Sequence, residues 1–188
     1  MIRDYFLKKI NVSGVCNSLK KCSSLFAVHL LVIAAVAAQT PEKESILKAA
    51  YIYNFTKYID WDSINTSDFT IGVIGNSSIY EPLNDIASTK TVNDKKIIVR
   101  RFYSPEEIAG CNILFISSDI QFSIFSILSK TGKGTLTISE TPGYAKMGTA
   151  LNFVIVNDKL KFEANVKSIM DEGLKASSQL LKLAIIVD

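Results

Sequence analysis

The acid best placed for chemistry is Asp119, just after the apolar run "NILFISS", because ligands of open α/β sheets gather where the strands end. An acid there could share a metal or exchange a proton. No second carboxylate stands at another strand end, so Asp119 reads first as an acid favouring the start of a helix. Gly75 in "IGVIGNSS" suggests a different chemistry, since a glycine between strand and helix lets a phosphate reach backbone N–H groups. Its spacing is neither G-x-G-x-x-G nor a Walker loop, which leaves a tight turn. "KTGKGT" (130–135) places Gly134 where a phosphate loop needs Ser or Thr, and it leads into a strand, so it too reads as a turn. A small-ligand cleft, if the sheet carries one, falls near Gly75, Asn76, Ser118 and Asp119.

Arg100 and Arg101 are adjacent on a strand and so point to opposite faces. One of them then lies toward a helix layer, where a guanidinium needs a carboxylate or carbonyls, either as a structural ion pair or as an anion clamp. The structural role is the expectation. Cys111 precedes a buried run and is expected to pack, not to react.

Histidine and cysteine usage narrows the chemistry further. Arg3, Lys8, Lys9, Lys20 and Lys21 precede the apolar run "LFAVHLLVIAAVAA", which has the order of a secretory signal ending near Ala38 or Gln39. His29, Cys16 and Cys22 all lie within it. The mature chain, 39–188, keeps Cys111 and no histidine, so it can form no internal disulfide, no Ser-His-Asp triad and no histidine-containing metal site. No cofactor or metal is expected. The chain carries 21 Lys+Arg against 18 Asp+Glu, but the first 38 residues hold five bases and one acid, which leaves 16 against 17. Nucleic-acid binding loses its electrostatic support. The mature chain is expected to be periplasmic, with no span of its own.

These residues need elements to position them. A helix runs from the polar start "TPEKES" through about Tyr58. Buried strands follow at "FTIGVIG", "KKIIVRRF", "NILFIS" and "GTLTIS", separated by helix-length segments. Ser78 with Glu81 reads as a capping box, Ser104-Pro105 with Glu107 as a short capped turn ended by Gly110, and Ser118 with Gln121 as the cap of a helix over "DIQFSIFSILSK". Strands alternating with helices predict an α/β single domain: a mixed, mostly parallel sheet with helices on both faces. "ALNFVIV", Asn157-Asp158 and "KLKFEAN" then predict a hairpin, and Asn165 the cap of one long C-terminal helix.

The helix stretch "AAYIYNFTKYIDW" is apolar almost all round. Leu47, Tyr51, Phe55 and Tyr58 share one stripe; Ile46, Ala50, Tyr53, Lys57 and Trp61 share another. Such a helix lies between two layers of its own domain or lends one face to another chain. Tyr53, Lys57 and Trp61, at i, i+4, i+8, are the candidate partner or dimer contacts, with Phe55 in the core.

Taken in order, "LKAAYIYNFTKYIDW", "FTIGVIG", "IIVRRF", "CNILFISS", "TLTISETPGYAKMG", "LKFEANV" and "GLKASSQLLKLAIIV" resemble the YfiR-like family of exported bacterial proteins, over about Ile46 to Val187. The resemblance implies a compact α/β domain without catalytic activity. It also implies a regulator that dimerises and restrains a membrane-bound diguanylate cyclase through that enzyme's periplasmic part. Where such sequences often carry Cys-His before the "ILFIS" strand, this chain has Cys111-Asn112, and it lacks the further cysteines of some members, so redox-dependent release of a partner is in question. The leading expectation is a periplasmic regulatory binding protein. The alternative is a small-ligand receptor using the cleft at the strand ends.

Overall fold

Stretches rich in Ile, Val and Phe that must bury both faces form the centre of the sheet. In the computed structural model, which describes residues 41–61 and 67–188, these are β2 (Asp68–Ile74), β4 (Lys95–Phe102), β5 (Ile113–Ile116) and β6 (Leu136–Ser139), all mutually parallel. With β3 (Thr91–Val92), β7 (Leu151–Val156), β8 (Lys159–Asn165) and β10 (Ile185–Val187) they make one eight-stranded sheet, ordered β10-β8-β7-β6-β5-β2-β4-β3. β3–β4 and β7–β8 are antiparallel and the other ladders parallel, so the sheet is mixed as expected. β1 (Ile59–Asp60) and β9 (Lys175–Ala176) pair separately. The signal-like residues 1–38 lie outside the described residues.

Alternation along the strands sends side chains to two cores. Ile71, Val73, Ile113 and Phe115 meet Ala49, Ile52 and Phe55 of α1 (Pro41–Phe55) and Leu83 of α2 (Tyr80–Thr89). Ile74, Leu114 and Ile116 meet Ile124 and Ile127 of α3 (Ile124–Leu128) on the opposite face. Gly72 leaves room in this second core: a Cβ there would stand 2.5 Å from the Phe102 ring, which would have to shift.

Three expected elements differ. The helix over "DIQFSIFSILSK" shrinks to α3, because Ser118 donates its N–H and its hydroxyl to Glu140 and is not free to cap, while Asp119 accepts from Asn76 N. The box at Ser78 does not form; its hydroxyl pairs with that of Ser45 on α1, and Ile79 N donates to Ser77 Oγ at 3.3 Å. The long C-terminal helix is two: Asn165 does cap α4 (Val166–Asp171), accepting from Ser168 N, but Gly173 at φ +77 ends that segment with a bond from Leu174 N to Ile169 O. β9, then α5 (Ser178–Leu183) capped by Ser177, follow before "IIV" joins the sheet beside β8.

Near Ser104 the turn is a single 3-10 turn, Pro105–Glu107. Glu107 reaches back one residue further than expected, accepting from Tyr103 N at 2.9 Å. The Asn157-Asp158 hairpin is as read, both residues having φ near +50 (51 and 57) as a type I′ turn demands.

Candidate functional site

Two surfaces stand out, and one ion-pair cluster joins them. The first is the outer side of α1. Its inner stripe is Ser45, Ala49, Ile52 and Phe55, with the Phe55 ring 4.9 Å from Phe162 and 6.0 Å from Phe153. That leaves Ile46 and Leu47 large, apolar and exposed (52% and 46%), in line with half-buried Ala50 and Tyr53 and exposed Lys57. The Lys57 ammonium sits 4.8 Å from the centroid of the Tyr53 ring and donates to Asn54 Oδ1 at 2.9 Å. The ridge expected through Trp61 stops at Lys57, because α1 ends at Phe55 and the chain turns into β1. Trp61 is instead tied to its own domain, its Nε1 donating to Gly134 O at 3.0 Å and its ring edge-on to Phe69 at 5.2 Å.

The second surface is a cleft of about 420 Å³ at the carboxyl ends of β2, β4 and β5, lined by Gly75 and Asn76, Arg101 to Tyr103, and Asp119 to Phe122. From β2 the chain goes through α2 to β4 on one side, whereas β5 returns to the other side of β2 and leads to α3 on the opposite face. The cleft therefore lies at a topological switch point. Gly75 adopts φ +93, and a Cβ there would meet Asp119 Oδ1 at 2.8 Å and Ser117 Cβ at 2.9 Å, so the loops close onto each other only with glycine. Asp119 Oδ1 accepts from Asn76 N at 2.9 Å, and Gln121 Nε2 donates to Asp119 O at 3.1 Å. Of the expected quartet, Gly75, Asn76 and Asp119 line the cleft; Ser118 turns to Glu140.

The arginines part as the strand pleat requires. Arg100 is exposed. Arg101 is half-buried, its guanidinium 4.2 Å from the centroid of the Tyr80 ring, and it lines the cleft. Neither forms an ion pair among the described residues. The structural ion pair expected for one of them is replaced by a cation held on an aromatic face.

Between the two surfaces, Lys48 of α1 bonds Glu140 at 2.6 Å and Glu44 at 2.6 Å, and Glu140 also accepts from Ser118 N at 3.0 Å. Burial pulls the Lys48 pKa down, but its bonds to Glu140 and Glu44 and their charges outweigh that and hold it above the ordinary lysine value. Cys111 is buried, and burial pushes its thiol up to about 11, against smaller opposing effects of hydrogen bonding and the Arg100 charge. It is a packed thiol, poorly ionised at neutral pH.

A family model described as YfiR/HmsC-like matches residues 45–185, a span that holds both surfaces. The chain belongs to the YfiR/HmsC-like family. None of the curated proteins matches it. In this YfiR/HmsC-like domain Asn112, buried at the start of β5, ties neighbouring strands: its Oδ1 accepts from Thr70 N at 2.7 Å, its own N–H donates to Thr70 O at 2.8 Å, and its carbonyl accepts from Leu136 N at 2.8 Å. Among the described residues of the YfiR/HmsC-like chain, no helix is long and apolar enough to cross a membrane, and no cluster of three His, Cys, Asp or Glu could hold a metal.

Proposed function

We propose that this YfiR/HmsC-like protein is a periplasmic regulator without catalytic activity that binds the extracytoplasmic part of a membrane signalling enzyme, a diguanylate cyclase, and holds it inactive. The observation that carries the reading is the family match across nearly the whole described domain. Its physical logic is population shift: a protein that binds the inactive form of an enzyme better than the active form draws the enzyme into it, by no more than the difference in affinity.

The outer stripe of α1 is the surface assigned to this docking or to self-association, through Ile46, Leu47, Tyr53 and Lys57. Aromatic and basic side chains over an apolar patch make favoured interface anchors; Ile46 and Leu47 are exposed and lie outside the buried core, while Tyr53 packs its inner side against that core and leaves the rest in reach of a partner. Trp61 flanks it but is spent on Gly134 and Phe69. Tyr53→Ala is expected to weaken association with the partner's periplasmic segment, or with a second copy, by about 1–3 kcal/mol. Binding measured by calorimetry alongside a denaturation curve decides it. If Tyr53→Ala unfolds the domain and leaves association per folded molecule unchanged, the stripe is only packing.

A further inference from the structure

We propose that the cleft at the carboxyl ends of β2, β4 and β5 binds a small aromatic monocarboxylate, its carboxylate held by Arg101 and its ring lying against Tyr103 and Phe122. The inference concerns a different surface from the docking stripe and stands independently of it.

Four observations converge. The cleft sits at the switch point of the sheet, where open α/β folds receive ligands, and its volume of about 420 Å³ suits a small organic molecule. Arg101 offers a cation that is half-buried and orientated by the Tyr80 ring, yet has no carboxylate within ion-pair distance among the described residues. A preorganised, unpaired guanidinium matches the planar fork of a carboxylate. Large aromatic surface is left in water at the rim, with Tyr103 73% and Phe122 39% exposed, where a flat ring would cover it.

The fourth observation sets the charge of the ligand. Asp119 also lines the cleft, and its Oδ1 is committed to Asn76 N. A dianion such as a phosphate monoester would face this carboxylate as well as Arg101, so a single negative charge is favoured.

The test uses the purified chain with 2-naphthoate, the uncharged 2-naphthamide and phenyl phosphate as probes, read by calorimetry and by thermal melting. Naphthoate is expected to bind, to raise the melting temperature because it binds the folded state, and to weaken with added salt. Arg101→Gln is expected to lose about tenfold or more in affinity and Arg101→Lys less, because lysine keeps the charge without the fork. Tyr103 is so exposed that Tyr103→Ala leaves the fold intact, and it is expected to weaken naphthoate several-fold. The proposal is overturned if naphthoate does not bind the natural chain, if the amide or phenyl phosphate binds as well, or if both folded variants, Arg101→Gln and Tyr103→Ala, bind naphthoate undiminished.

Discussion

Phe55→Ala is expected to cost about 3–5 kcal/mol of folding stability, the range for truncating a buried aromatic ring. Phe55 is only 2% exposed and stands among Tyr51, Phe153 and Phe162 with ring centroids 4.9–6.0 Å apart. Removing it loses the transfer of the ring and opens a void that β7 and β8 border from the sheet side. The backbones of those strands are fixed by their hairpin ladder, so the void cannot close easily. Urea unfolding of both proteins measures the difference. A loss under about 1 kcal/mol would mean that α1 does not pack through this stripe.

Lys48→Met is expected to cost about 2–3 kcal/mol, below the range for breaking a fully buried pair, because Glu140 keeps its serine donors. Both partners are nearly enclosed, with side-chain exposures of 13% and 12%, so solvent screens the pair weakly. The same bond gives a pH signature. Lys48 has a folded pKa above its ordinary value, so its stabilisation is fully present below about pH 10.4 and is lost as pH rises through the higher folded value. Chemical denaturation between neutral pH and strong alkali should therefore show a steeper loss for the natural protein than for Lys48→Met. Equal slopes would show that the bond contributes nothing in solution.

The order of strands and helices was legible because each central strand is a run of apolar residues bounded by turn chemistry. The breaks were less so. "VNDK" occurs twice, at 92–95 and 156–159, and both times makes a two-residue turn with positive φ at Asn and Asp. Only the second reads as a hairpin in sequence, since the strand before the first is two residues long and offers no alternation. The sequence reads as one C-terminal helix because its apolar spacing continues across Gly173, whereas that glycine takes φ +77 and ends α4 before β9 pairs with β1. Ser118 and Ser78 carry cap chemistry in sequence, yet each found a partner far along the chain, Glu140 and Ser45. Gly75, Asn76 and Asp119, three of the four residues expected near a cleft, line the pocket at the strand ends. Arg101 is a candidate anion contact in sequence, but its place in the cleft depends on the crossover that sets β4 beside β2, a long-range contact. Trp61 failed as part of a helical ridge because α1 stops six residues before it, at Phe55.

The central claim, restraint of a membrane diguanylate cyclase, is tested most directly by measuring cyclic-di-GMP in the native cells with and without this chain. The account predicts that deleting it raises cyclic-di-GMP several-fold, and that supplying the natural protein to the periplasm restores the lower level. A deletion that leaves cyclic-di-GMP unchanged, with the protein shown to be produced and exported in the parent cells, would contradict it.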